Sequence, residues 1–222
     1  MIVGITKETF PGERRVSLVP TVLPSLTKAS IDVLVESAAG QSAGFPDEAY
    51  VEKGARIATS RAQVFAEAEI VLQVRTPGAG GESGQEDLSL LKQGQTLIGF
   101  SEPLAEPAIA LKVAERHVTV FSMELIPRIT RAQSMDALSS MATIAGYKAA
   151  LLAADKFPRL FPMMMTAAGT ITPARVFVVG AGVAGLQAIA SCRRLGARVE
   201  AYDVRPAVKE QVESLGAKFS EL

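Results

Sequence analysis

The segment Arg175-Val-Phe-Val-Val-Gly180-Ala-Gly182-Val-Ala-Gly185-Leu-Gln-Ala-Ile-Ala190 joins an apolar β-branched run to three closely spaced glycines and a helical pattern. A β-branched run ends in G-x-G-x-x-G, and the glycines open a helical pattern, the setting in which this spacing is diagnostic of a strand, a tight turn and a helix. Each glycine has its own steric reason. Gly180 permits the turn, Gly182 lets the backbone approach a pyrophosphate, and Gly185 allows the helix to lie close to the strand. Backbone amides at the helix start, Val183 among them, then face negative charge. Asp203 ends the next strand pattern, Arg198 to Asp203, about 20 residues further on, where a carboxylate accepts hydrogen bonds from an adenine-ribose hydroxyl. That favours NAD over NADP, although Arg205, two residues beyond Asp203 and next to Val204, weakens the exclusion of a 2′-phosphate. The bland alternative is a plain turn with Asp203 as a helix cap. Strand, glycines, helix and acid standing in register weigh against it, so Gly180, Gly182, Val183, Gly185, Asp203, Val204 and Arg205 are candidate NAD(H) contacts.

Short β-branched runs also recur at Ile2 to Thr6, Ile31 to Glu36, Ile70 to Arg75, Thr96 to Ser101 and Val118 to Met123. Helical patterns lie between most of them, at Pro20 to Ala29, Pro46 to Gly54, Arg61 to Ala68 and Glu106 to Arg116. Strands alternating with helices of this length predict an α/β protein with doubly wound parallel sheets. The clearest helix runs from Met135 to Asp155, with Met135, Leu138, Met141, Ala142, Ala145, Ala149 and Leu152 at helical spacing and Ser134 as its expected N-cap. The Gly- and Ser-rich run Thr76 to Gln85 reads as a mobile surface connection. Two Rossmann-like domains are expected, residues 1–137 and 138–222. The second is expected to be incomplete, because a dinucleotide domain needs about six strands in two halves and only the first half is present.

Composition narrows the function classes. The 222 residues are 48% hydrophobic and 21% charged, the range of a folded domain and not of a disordered chain. Lys plus Arg (23) equals Asp plus Glu (23), so no global field draws the chain to nucleic acid or anionic membrane. The single Cys192 excludes an internal disulfide and reads as a small core residue. No metal-ligand cluster, Ser-His-Asp set or signal-peptide pattern occurs, and the N-terminus reads as cytoplasmic. Two uncharged stretches, Leu160 to Ala174 and Val176 to Cys192, imitate membrane spans. Prolines, glycines and the intervening Arg175 argue against direct insertion.

A second constellation precedes the long helix: Met123-Glu-Leu-Ile-Pro127-Arg128-Ile-Thr-Arg131-Ala-Gln133-Ser-Met-Asp136-Ala-Leu-Ser139-Ser140. Two arginines, an amide and a carboxylate gather there, and a guanidinium fork suits phosphate or amide oxygens. This stretch, the segment Phe161-Pro-Met-Met-Met-Thr-Ala-Ala-Gly169-Thr-Ile-Thr-Pro173-Ala-Arg175, the opening Lys7-Glu8 with Pro11-Gly12-Glu13-Arg14-Arg15-Val16, and the glycine motif together resemble the family of transhydrogenase first components and alanine dehydrogenases. The likeness runs from Met1 to the last residues. The run P-R-I-T-R-A-Q-S-M-D-A-L-S-S resembles the transhydrogenase branch.

That resemblance implies an Arg-Gln-Asp loop, Arg128, Gln133 and Asp136, holding the nicotinamide end of NAD(H), with Ile129 and Thr130 in the same loop. Ser139 contacts the carboxamide, and Gln133 reaches toward a second nucleotide. Met141 departs from the Gln often found after the Ser-Ser pair. The implied protein is a proton-translocating NAD(P) transhydrogenase component, cut short at its C-terminus and paired as a homodimer through the apolar arm Phe161 to Thr172. Its implied partners are an NADP(H)-binding component and a membrane-spanning one, which would hold it peripheral to the inner membrane. Two rivals stand beside it. An alanine dehydrogenase-like enzyme would need a Lys and a His for its keto acid, yet Gln73 and Arg75 replace the lysines, no histidine stands at Leu97 to Pro103, and His117 reads as a surface residue. A non-catalytic NAD-binding module is the other. Transfer between two nicotinamide rings needs orientation and electrostatics, and no proton donor.

Overall fold

The computed structural model describes residues 1–221 and divides into two compact units, Met1 to Met135 and from Asp136 onward. The first is built from β1 (Ile2–Ile5), α1 (Leu23–Lys28), β2 (Asp32–Glu36), α2 (Asp47–Val51), β3 (Arg56–Ala58), α3 (Arg61–Glu67), β4 (Ile70–Arg75), α4 (Gly81–Gln85), β5 (Thr96–Phe100), α5 (Pro107–Ala114) and β6 (Thr119–Ser122). Its six strands are all parallel, in the order β3-β2-β1-β4-β5-β6. Parallel strands covered on both faces read as unbroken apolar runs, and Val33, Leu34 and Val35 of β2 are all buried. Ile5, Val33, Val35 and Tyr50 centre one core layer; Phe65, Val71 and Leu97 centre another. Strand order reverses between β1 and β4, where open α/β sheets place ligands outside the carboxyl ends of their strands.

The sequence reading misses β3, which has only three residues and sits at the sheet edge. It also misreads Thr76 to Gln85. Thr76 and Ala79 are buried, α4 forms there, and the Thr76 hydroxyl lies 2.9 Å from Ser101 Oγ. Glycines that make a linker flexible also let backbones approach closely, so composition alone cannot separate the two outcomes.

The second unit contains α6 (Ala137–Lys156), an antiparallel hairpin of β7 (Met164–Thr166) and β8 (Gly169–Ile171), then β9 (Arg175–Val179), α7 (Val183–Arg194), β10 (Arg198–Tyr202), α8 (Lys209–Ser214) and β11 (Lys218–Phe219). Its parallel sheet has the order β11-β10-β9. Ile189, Cys192, Val199, Ala201 and Val212 form its core, and burial pushes the Cys192 thiol up. Among the described residues β9 is an edge strand, with Phe177 53% and Val179 75% exposed.

The N-cap of α6 is Asp136 and not Ser134: the Asp136 carboxylate accepts from the Ser139 amide at 2.9 Å. A carboxylate at this position also meets the positive end of the helix. The apolar stripe read from the sequence is only partly covered, with Leu138, Met141 and Ala142 half-buried, and it is not where α6 is most deeply buried. Gly146 and Ala150 are buried, while Ala145, Ala149 and Leu152 are exposed. Small residues bring α6 onto the first turn of α7, where an added β-carbon on Gly146 would stand 2.0 Å from the Ala184 carbonyl oxygen. By length and composition α6 is, among the described residues, the one helix able to cross a membrane.

Candidate functional site

At the end of β9 the chain turns through Gly180, whose φ of +93° lies in the left-handed region that side chains disfavour. The Gly180 amide donates to the Tyr202 carbonyl at 2.8 Å, tying the turn to β10. Gly182 is the N-cap of α7 with extended backbone angles and no capping side chain. Gly185 faces the turn so closely that an added β-carbon would lie 1.8 Å from the Gly180 carbonyl oxygen. The β-carbon that an alanine at Gly182 would carry meets only an Arg205 Nη2 atom, at 4.0 Å. One glycine is therefore required by packing, and another leaves open space at the start of a twelve-residue helix. Amides facing an open cradle at a helix N-terminus fit a pyrophosphate.

Asp203 follows β10 and braces this turn from below. Its Oδ2 accepts from the Ala181 amide at 2.7 Å and from Arg205 Nη2 at 3.0 Å; its Oδ1 accepts from the Arg205 amide at 2.8 Å and from Arg205 Nε at 2.9 Å. The side-chain hydrogen bonds from Arg205 lead the causes that hold the carboxyl well below the usual carboxylate range. Asp203 is only 8% exposed, and Val204 beside it points largely into solvent. The sequence motif locates this acid but gives no sign that Arg205 occupies it.

The Arg128 to Gln133 segment lies in the first unit and Asp136 with Ser139 in the second. Arg128, Ile129, Thr130 and Gln133 are exposed. Asp136 and Ser139 are half-buried and joined twice, by the cap and by Ser139 Oγ donating to Asp136 Oδ2 at 2.7 Å. A groove of about 890 Å3 within the first unit is lined in part by Phe121, Met123, Ile129, Arg131 and Met135.

A further polar cluster stands at the carboxyl ends of β1 and β4. Glu13 accepts from Arg15 Nη2 at 2.7 Å and from Arg75 Nε at 3.2 Å, and Arg75 stacks over Phe10 at 4.2 Å from the ring centre. The Arg15 hydrogen bonds hold the Glu13 carboxyl down at about 2. Asp87 is buried and takes a fork from Arg61 together with Gln73 Nε2 at 2.7 Å. The sequence marks these positions separately, and only the fold joins Glu13 to Arg75, 62 positions further along the chain.

The family described as Alanine dehydrogenase/PNT, N-terminal domain, matches residues 4–145, and Alanine dehydrogenase/PNT, C-terminal domain, matches residues 149–222. The chain is 48% identical over 219 residues to the first part of the NAD(P) transhydrogenase subunit alpha of Rhodospirillum rubrum, covering 99% of this chain and 57% of that protein. The solved structure of transhydrogenase from Sinorhizobium meliloti shares 48% identity at a TM-score of 0.93, covering all of this chain and 64% of that one. An alanine dehydrogenase of Halomonas elongata is more distant, 30% identical over 206 residues with 91% of this chain and 53% of that protein covered. The chain spans about half the length of the curated relatives it matches.

Proposed function

The chain belongs to the alanine dehydrogenase/PNT family, and from that premise we propose that it is the NAD(H)-binding component of a proton-translocating NAD(P) transhydrogenase, delivering hydride to NADP⁺ held by a partner component. One observation carries the nucleotide assignment: the open glycine cradle at Gly182, closed behind by Gly185 and braced by Asp203.

When bound, NADH supplies the hydride from its nicotinamide ring. The chain's own residues hold and orient. Amides at Gly182 and Val183 take the pyrophosphate charge, and the extended backbone at Gly182 admits it without a side chain in the way. Asp203 accepts adenine-ribose hydroxyls, with Val204 flanking. Arg128, Ile129, Thr130, Asp136 and Ser139 hold the nicotinamide end, and Gln133 reaches toward the second nucleotide. Asp136 serves by capping α6 and fixing the Ser139 hydroxyl, so its contribution is positional. None of these groups needs to donate a proton, which suits direct transfer between rings.

The alanine dehydrogenase reading is disfavoured by the cluster in the first unit. Gln73 is buried against Asp87, and Arg75 is engaged by Glu13, so neither position offers an amine for a keto acid. Homodimer formation is supported by the hairpin arm, where Met163 and Met165 are exposed, and by exposed Ile144 and Tyr147 on α6. The same surface would account for an apolar α6 without membrane insertion and leave the chain peripheral, reaching the inner membrane through its partners.

The test is NADH-dependent reduction of an NADP⁺ analogue by this chain mixed with a purified NADP(H)-binding component. Turnover that needs both proteins supports the proposal. Robust NADH oxidation with pyruvate and ammonia, in the absence of that component, would replace it with the dehydrogenase reading. Sedimentation showing a concentration-independent monomer would remove the dimer.

A further inference from the structure

Asp203 has no spare capacity for a ribose. A carboxylate offers about four lone-pair positions, and Asp203 fills them with the Ala181 amide, the Arg205 amide, and the Nε and Nη2 of the Arg205 fork. A ribose diol can bind there only by displacing a donor. The two amides are fixed by the turn, because Ala181 lies between Gly180 and Gly182 and is itself buried. The guanidinium is different. It ends a flexible side chain that is 60% exposed, and Asp203 is its one ion-pair partner among the described residues. It also hangs over the cradle, within 4.0 Å of the β-carbon position at Gly182.

We propose that Arg205 is a latch on the ribose-binding carboxylate: it covers Asp203 in the free protein, swings aside to admit the adenine ribose, and sets the degree of preference for NADH over NADPH. This rests on the assignment of Asp203 to the ribose. Latched, the pair is nearly neutral and shields a 2′-phosphate from the carboxylate. Released, the guanidinium is a mobile fork at the mouth of the site, with the geometry and charge to take a 2′-phosphate. A strand-end acid alone would repel that phosphate outright; the acid with its latch tolerates it weakly.

The test titrates the 222-residue chain with NADH and NADPH by fluorescence, and with ADP and 2′,5′-ADP by calorimetry, for the parent and for Arg205→Ala, Arg205→Lys and Asp203→Asn. A charged hydrogen bond to phosphate is worth roughly tenfold or more in affinity, so Arg205→Ala should lose about that factor for NADPH and 2′,5′-ADP. NADH and ADP should bind as before or tighter, because their ribose no longer competes with the latch. Arg205→Lys keeps the charge and should retain most of the NADPH affinity. An equal loss for both nucleotides in Arg205→Ala would make Arg205 a general binding contact and overturn the latch. So would an unchanged preference when Asp203→Asn weakens NADH. If Asp203→Asn leaves NADH binding untouched, the ribose assignment itself falls, and the latch with it.

Discussion

Gly182 and Gly185 lie three residues apart in one turn, yet replacing each with alanine should damage different properties. At Gly185 the new β-carbon would sit 1.8 Å from the Gly180 carbonyl oxygen and 2.9 Å from its carbon. Both are backbone atoms, and Gly180 is fixed by its bond to Tyr202, so no side chain can move away to relieve the clash. Relief requires α7 to shift away from β9. Overpacking of this kind costs about 1 to 3 kcal/mol, and in a unit of this size each kcal/mol lowers Tm by roughly 4 to 8 °C. Gly185→Ala should therefore unfold about 5 to 20 °C earlier. At Gly182 the β-carbon meets nothing closer than 4.0 Å, and the backbone is already extended, so Tm should stay with the parent. The same carbon would stand where a pyrophosphate must approach, and losing hydrogen bonds to that charge should weaken NADH binding about 10- to 100-fold. The assays are thermal unfolding by circular dichroism and NADH fluorescence titration. A Gly185→Ala protein as stable as the parent would refute the packing argument. Normal NADH affinity in Gly182→Ala would refute the cradle.

Asp203→Ala should both weaken NADH binding and lower Tm, because it strips an acceptor from the buried Ala181 amide; Asp203→Asn, which keeps an acceptor, should stay closer to the parent Tm while still losing NADH affinity. A scanning calorimeter separates the two variants. Gln133→Ala should reduce hydride transfer to an NADP⁺ analogue by about tenfold or more with little change in NADH affinity, since a contact formed only as the rings approach is read in the rate; stopped-flow transfer at saturating NADH is the check, and a pure affinity defect counts against the placement. Glu13, depressed to about 2 from an ordinary 4.5, adds stability that is complete above 4.5 and is lost as pH falls toward 2. Glu13→Gln should flatten the fall of Tm across that window, and an unaltered slope would remove Glu13 from the acid-sensitive set.

The parallel strands are legible because covered strands announce themselves as apolar β-branched runs, and the glycine turn because three separate steric demands fall at a fixed spacing. Asp203 is legible as a position and not as a state. That Arg205 lies across it depends on how the chain turns after β10, which two residues of sequence do not fix. Ser134 and Asp136 are both acceptable cap residues, and the cap forms on the one whose carboxylate reaches two groups of Ser139. On α6 the larger apolar residues mark a stripe that the fold covers only in part, leaving Leu152 exposed and Leu138 and Met141 half-buried. The fully buried positions are Gly146 and Ala150, and at Gly146 α7 comes too close for any side chain. Strands as short as β3, β7 and β8 carry too few residues for alternation to register, and the Glu13, Arg15 and Arg75 cluster exists only once β1 and β4 are side by side.

Binding of NAD(H) on the glycine turn of the second unit can be read by an NMR titration of the isotopically labelled 222-residue chain with NADH, following backbone amide shifts. Saturable shifts centred on Ala181, Gly182, Val183 and the Asp203 to Arg205 turn, abolished by Gly182→Ala, are the predicted result. Saturable binding that moves other amides and leaves those at the turn unshifted would contradict it.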